Sequence, residues 1–276
     1  MIYRGKQVVS GFKIFYRPLL GTISSMLFIR LFRVWEQMGF HVTRKHFYEP
    51  IPDTSTLAND LWLRQSELVG IDMNEQKQSE ILYAMIRYFK PKRIVEIGSG
   101  DSTMLSAQAI LKNEQESGIK GDLIAVEPYP NETLRRGFPG LTKLIASKVE
   151  QVDLGEFAKL QENDILFIDS SHVLKIGSDV QYEYLEILPR LNKGVIVHIH
   201  DIFLPMEYRK EWVLKQLRFY NEQYLVQAFM TFNNAYEVLW AASYMHLKHS
   251  DKLQEAFGSY SRETVWPGSF WIRRKA

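Results

Sequence analysis

Arg93-Ile94-Val95-Glu96-Ile97-Gly98-Ser99-Gly100-Asp101-Ser102 is the stretch that decides the fold of this 276-residue chain. A short β-branched run gives way to two glycines and then to a helical pattern over 103–116. The same sequence of events recurs downstream. Leu123–Glu127, Asp164–Asp169 and Gly194–Asp201 are further apolar runs that end in a polar residue, and helical patterns over 132–140 and 178–191 lie among them. Near-continuous apolar strands alternating with helices predict a parallel sheet covered on both faces. Lys143–Ala146 is strand-like, and Ala235–Ala241 and Ser269–Arg273 flank a helical stretch at 244–257. The expected architecture is therefore α/β: a Rossmann-like, doubly wound, mostly parallel seven-stranded sheet with one antiparallel strand at its edge.

Upstream, Ile81, Leu82, Met85, Ile86 and Phe89 recur at helical spacing, with Asn74 as the N-cap and Pro91 as the stop. Residues 1–60 read as a helical N-terminal extension and connector, and 61–276 as the main domain. Pro50 and Pro52 force the connector to be extended. The apolar run Leu19–Ile29 is bracketed by Arg17 and Arg30 and is shorter than the about 20 residues that span a bilayer. It reads as a helix that packs on the domain or on a second copy, with an interfacial membrane helix as the alternative. The net charge of +2 and the lack of a concentrated basic face exclude a nucleic-acid partner. The chain has no cysteine, which rules out disulfides, zinc-thiolate sites and a thiol nucleophile and fits the cytoplasm.

In an open α/β sheet, ligands bind beyond the C-terminal strand ends. The Gly98-Ser99-Gly100 turn lets the backbone approach a ligand, although Thr103 stands where a dinucleotide fingerprint would carry its third glycine. Glu127, at the second strand end, is placed to accept two ribose hydroxyls. Asp169, His172 and the pair His200-Asp201 end the third and fourth strands, and carboxylates with imidazoles there suit a divalent metal. His198, inside the fourth strand, reads as a core histidine.

These motifs resemble a known family. Val95-Glu96-Ile97-Gly98-Ser99-Gly100 looks like motif I of the class I S-adenosylmethionine (SAM)-dependent methyltransferases, and Ala125-Val126-Glu127 like motif II. Phe167-Ile168-Asp169-Ser170-Ser171-His172 with Val197-His198-Ile199-His200-Asp201 resembles the subgroup called methyltransferase domain 24. The layout is similar to metal-dependent catechol-type and sugar O-methyltransferases, over about 60–205 and, less fully, 223–273. The resemblance implies that Glu96, Gly98, Ser99 and Gly100 hold the amino-acid end of SAM, that Glu127 binds its ribose, and that Val152 or Asp153 lies near its adenine. It also implies that Asp169, His200 and Asp201 ligate magnesium or, given a histidine where relatives carry an acid, a softer ion. His172 would then remove the acceptor proton.

The expectation is metal-assisted O-methylation of a small hydroxylated acceptor: a sugar, a phenol or a natural product. Phe47-Tyr48 and Phe203–Trp212 are candidates to wall the acceptor. The alternatives are a metal-dependent oxygenase or hydroxylase on the same fold, and a SAM-binding protein without turnover.

Overall fold

A computed structural model describes residues 79–258, 260–264 and 266–276. The apolar run at 19–29, Phe47-Tyr48, the Asn74 cap and the 60/61 boundary lie outside the described residues. Helix α1 (Ser79–Phe89) leads into β1 (Arg93–Ile97), and α2 (Asp101–Ser117) follows the glycine turn. Then come β2 (Asp122–Val126), α3 (Glu132–Arg136), β3 (Lys143–Ile145), α4 (Leu154–Ala158) and β4 (Ile165–Ile168). Helix α5 (Asp179–Tyr182) continues through a π turn, Glu183–Ile187, and a 3-10 turn to Arg190, before β5 (Ile196–Ile199). A short helix α6 (Lys210–Leu214) belongs to a separate unit, Arg209–Phe219, in which the Arg218 guanidinium lies 4.8 Å over the Trp212 ring. The main unit resumes with α7 (Glu222–Met230), β6 (Tyr236–Ala241), α8 (Ala242–Lys248), α9 (Ser250–Ala256) and β7 (Phe270–Arg274).

The seven strands are ordered β3-β2-β1-β4-β5-β7-β6. Pairings from β3 through β5 are parallel, and β7 runs antiparallel to both β5 and β6. The antiparallel strand therefore sits one place in from the edge, and β6 forms the edge. Alternation sends Ile94, Leu123, Ile165 and Phe167 to one face, where they pack with α1, α2, α8 and α9. Val95, Ile97, Leu166, Ile168 and Val197 go to the other, against Phe157, Val180, Ile187 and Val226. The helix expected over 132–140 stops at Arg136, because Gly137 leaves the helical region with φ 73°. The segment 178–191 is helical but changes pitch, with Pro189 in its last turn. Among the described residues no helix is long and apolar enough to cross a membrane.

His198 is buried at 3% exposure, between Trp271 (ring centroids 4.1 Å apart) and Phe167 (4.3 Å), and among the described residues neither ring nitrogen has a hydrogen-bond partner. Burial holds this imidazole well below the usual histidine range, with His200 adding in the same direction. The folded state thus refuses a proton that the unfolded chain accepts near pH 6.5, so this contribution is full above that pH and is lost as pH falls below it. Glu96 and Glu183, both held high by burial, run the other way, so the readout is a difference. Urea unfolding of the parent and of His198→Phe from pH 7.5 to 5 is expected to show the variant gaining on the parent by up to about 1.4 kcal/mol per pH unit below about 6.5. A constant gap would mean that His198 is protonated in the fold.

Candidate functional site

Parallel register aligns four strand ends. Ile97 pairs with Val126 and Ile168, and Ile168 pairs with Ile199. The next residue of each strand, Glu127, Gly98, Asp169 and His200, therefore forms one row across β2, β1, β4 and β5. Backbone bonds extend the ladder into this row: Gly98 N–H donates to the Val126 carbonyl (3.0 Å), Asp169 N–H to Ile97 (2.8 Å) and His200 N–H to Ile168 (2.9 Å). Four residues separated by 29 positions or more in the chain thus meet on one edge of the sheet.

On the β1–β2 side, Gly98 has φ 79°, and a Cβ there would lie 1.8 Å from the Asp169 carbonyl oxygen. This glycine lets the β1 and β4 loops touch. Among the described residues no atom lies within 4 Å of where a Gly100 Cβ would stand, so open space faces the turn. Thr103, in place of a third glycine, is buried, and its hydroxyl accepts the Gly100 N–H (3.0 Å). Glu96 is fully buried. One carboxyl oxygen accepts from the Ser102 hydroxyl, and the other has no partner among the described residues. Burial pushes this carboxyl up to about 8, with the Ser102 hydrogen bond pulling back. An orphaned buried oxygen beside an open glycine turn is suited to a cationic N–H donor from a ligand. Glu127 accepts Ser99 N–H (3.2 Å) on one oxygen and Tyr129 N–H (2.8 Å) on the other. This fixes the carboxylate while leaving lone pairs for further donors. Asp153 is exposed and caps α4 by accepting the Gly155 N–H (2.7 Å).

On the β4–β5 side, His172 is the centre. Its Nδ1 lies 2.8 Å from Glu222 Oε2, and its Nε2 lies 3.2 Å from Asp169 Oδ1 and 3.9 Å from Asp201 Oδ2. The ring is buried, as is the Glu222 side chain. Desolvation pulls the imidazole down, but hydrogen bonds with Asp169 and Glu222 outweigh it and raise it to about 11. Desolvation likewise pushes the Asp169 carboxyl up, yet His200 and His172 hold it below its ordinary value. His172 and Asp201 both adopt left-handed backbone, φ 57° and 53°, a strain that the surroundings must hold in place. For His172 the holder is visible: its carbonyl accepts the N–H groups of Asn221 (3.0 Å) and Glu222 (3.2 Å) at the start of α7.

Sequence reasoning missed three acids around this loop. Glu222 also accepts the Tyr184 hydroxyl (2.9 Å). Asp179 accepts both the N–H (2.9 Å) and the hydroxyl (2.7 Å) of Ser171. Glu183 accepts the Ser170 hydroxyl (3.1 Å) and is held high by burial and by Glu222. His200 is the more exposed histidine of the site, at 25% for its side chain, with Nε2 3.4 Å from Asp201 Oδ1. The Asp169 side chain is 32% exposed. Phe203 is buried, and its ring packs where a Gly268 side chain would stand.

Asp169, His200 and Asp201 come together, but among the described residues no three His, Asp or Glu side chains are arranged to hold one ion.

Residues 95–202 match the model of a methyltransferase domain family. An uncharacterized protein of Archaeoglobus fulgidus is 27% identical over 198 residues, which cover 55% of this chain and 88% of the relative. Among solved structures, the chain is similar to the O-methyltransferase TomG of Streptomyces achromogenes in complex with SAM (13% identity, 84% of this chain and 93% of that one, TM-score 0.44). It is also similar to the Podospora anserina methyltransferase PaMTH1 (16% identity, 88% and 96%, TM-score 0.44).

Proposed function

We propose that this chain, a class I methyltransferase through residues 95–202, transfers a methyl group from SAM to a hydroxyl of a small acceptor such as a sugar, a phenol or a natural product. The observation that carries the reading is the row Glu127–Gly98–Asp169–His200, which sets a ligand cradle on β1 and β2 beside an acid–base pair on β4 and β5. The cradle fits SAM: the orphaned Glu96 oxygen and the open Gly100 turn suit an amino-acid ammonium, and Glu127 suits a ribose diol. Bound there, SAM supplies an electrophilic methyl group on a sulfonium. The residues have then to orient an acceptor oxygen toward that methyl and take its proton as the O–C bond forms.

His172 was the residue expected to take that proton. Its nitrogens face Glu222 and Asp169, and these carboxylates outweigh burial and raise the imidazole to about 11, which favours the protonated ring over a proton acceptor. The more exposed His200 ring, oriented by Asp201, is the better acceptor. Asp169, His200 and Asp201 are the residues that would hold a divalent ion, which would lower the pKa of the acceptor hydroxyl. A SAM-consuming enzyme without cysteine fits the cytoplasm.

Calorimetric titration with SAM tests the cradle. Micromolar binding to the parent, lost in Glu127→Ala, is expected; a parent that binds no SAM ends the methyltransferase reading. In an acceptor screen, His200→Ala should keep SAM affinity and lose about 10²–10⁴ in turnover. Full turnover in that variant removes His200 as the proton acceptor.

A further inference from the structure

The first N–H groups of a helix have no partner within it, and α7 spends its own on two loops of the site. The N–H groups of Asn221 and Glu222 hold the His172 carbonyl on the β4 side, and the Gln223 N–H donates to the Tyr208 hydroxyl (3.0 Å) on the β5 side. The Gln223 side chain strengthens the second hold. Its Oε1 accepts the Phe203 N–H (2.9 Å), and its Nε2 donates to the Met206 carbonyl (3.1 Å) and to Glu207 Oε1 (3.1 Å). Gln223 and Phe203 are both fully buried, so an apolar side chain at position 223 would take away the acceptor of a buried N–H. The segment held in this way begins two residues after Asp201, whose backbone is left-handed at φ 53°. On the near side of Asp201, the His200 N–H bonds the Ile168 carbonyl (2.9 Å); on the far side, the Ile202 N–H bonds the Gly268 carbonyl (2.9 Å) and the Phe203 N–H bonds Gln223. Of these three backbone donors, only the last depends on a side chain.

We propose that Gln223 is a positioning residue for the acceptor side of the site: it fixes the turn at Asp201 and, through that turn, the His200 ring. Asp201 Oδ1 lies 3.4 Å from His200 Nε2, so the carboxylate and the ring move together. A left-handed residue with a side chain keeps that conformation only while the chain around it is held. Released at Phe203, Asp201 relaxes toward an ordinary conformation and carries its carboxylate away from His200. One helix start thus braces both left-handed loops, His172 through the α7 amides and Asp201 through the Gln223 side chain. The link to catalysis rests on the methyl-transfer reading; the placement of His200 does not.

Histidine-ring proton–carbon correlation spectra of the full chain at one fixed pH test it, with the His200 signal identified by its loss in His200→Ala and SAM affinity measured on each sample. Gln223→Met has a side chain of similar length but none of the three side-chain hydrogen bonds. It is expected to shift the His200 signal by more than its linewidth and to leave in place the signal of His246, which bonds Tyr260. A folded-state spectrum identical to the parent's, with only the unfolding midpoint lowered, overturns the proposal, since a residue that adds stability alone leaves the native positions unchanged. Should Gln223→Met not fold, amide exchange in the parent decides. The Phe203 N–H is expected to be protected as the β5 amides are, and exchange at the rate of an open loop overturns the proposal. A parent that binds no SAM fails the methyl-transfer reading, and the His200 shift still decides whether Gln223 sets that ring.

Discussion

Gly98→Ala is expected to abolish SAM binding and to lower the thermal midpoint by about 10 °C, whereas Gly100→Ala, two residues on, should leave the midpoint within about 2 °C. The difference lies in what each new methyl meets. At Gly98 the backbone is left-handed, and the methyl would overlap the Asp169 carbonyl oxygen at 1.8 Å. The β1 and β4 loops would have to part, and each belongs to the row that builds the site. Left-handed strain alone is about 1 kcal/mol for a residue with a Cβ, and the clash adds to it. At Gly100 no atom of the described residues lies within 4 Å, so Ala fits the fold and only narrows the space before the turn. Differential scanning calorimetry with SAM titration separates the two effects. A stable Gly98→Ala protein that binds SAM would show that the contact between the loops is not what forms the cradle. A Gly100→Ala protein of unchanged SAM affinity would place the ligand away from this turn.

The row of strand ends was legible in the sequence because the physics there is local. Each apolar run ends in a polar residue, and parallel register brings those ends to one edge. Gly98 was legible for the same reason: a strand that turns into a helix at a ligand edge needs a residue without a side chain. Thr103 had no visible purpose in the sequence, and its hydroxyl proves to cap the turn that a third glycine would have narrowed.

The rest of the site was hidden by distance along the chain. Glu222 lies 50 positions from His172 and looks like an ordinary acid in a first helical turn. Asp179 and Glu183 sit in a segment whose helical pattern was read for its apolar residues. One signal was available: Glu183 falls between Val180 and Ile187 on the buried face, where an acid needs a partner. The π turn starting at Glu183 is the kind of helix irregularity found at functional sites, and it begins at the residue that bonds Ser170. The surroundings of His172 were hidden for a related reason: sequence shows an imidazole near two carboxylates, but only the fold shows a third, Glu222, on its Nδ1.

Glu222→Ala is expected to destabilise the protein by about 3–5 kcal/mol, because it removes one partner of a buried charge pair and leaves the other uncompensated. His172 would keep its contact with Asp169 but lose the 2.8 Å bond on Nδ1, and the Tyr184 hydroxyl would lose its acceptor. Chemical unfolding at pH 7 reads the loss directly. A double-mutant cycle with His172→Ala then separates the pair from its surroundings. The double variant should be less destabilised than the two single losses added, since removing both charges leaves neither buried alone. The pH dependence carries a further sign. His172 is raised to about 11 in the fold, above its unfolded value near 6.5. Its stabilising contribution is therefore complete below pH 6.5 and fades as pH rises through about 11. The gap between the parent and Glu222→Ala should be widest near pH 6 and should narrow as the solution becomes alkaline. A gap that grows with pH would mean that His172 is neutral in the fold, and the ring would regain its capacity to take a proton.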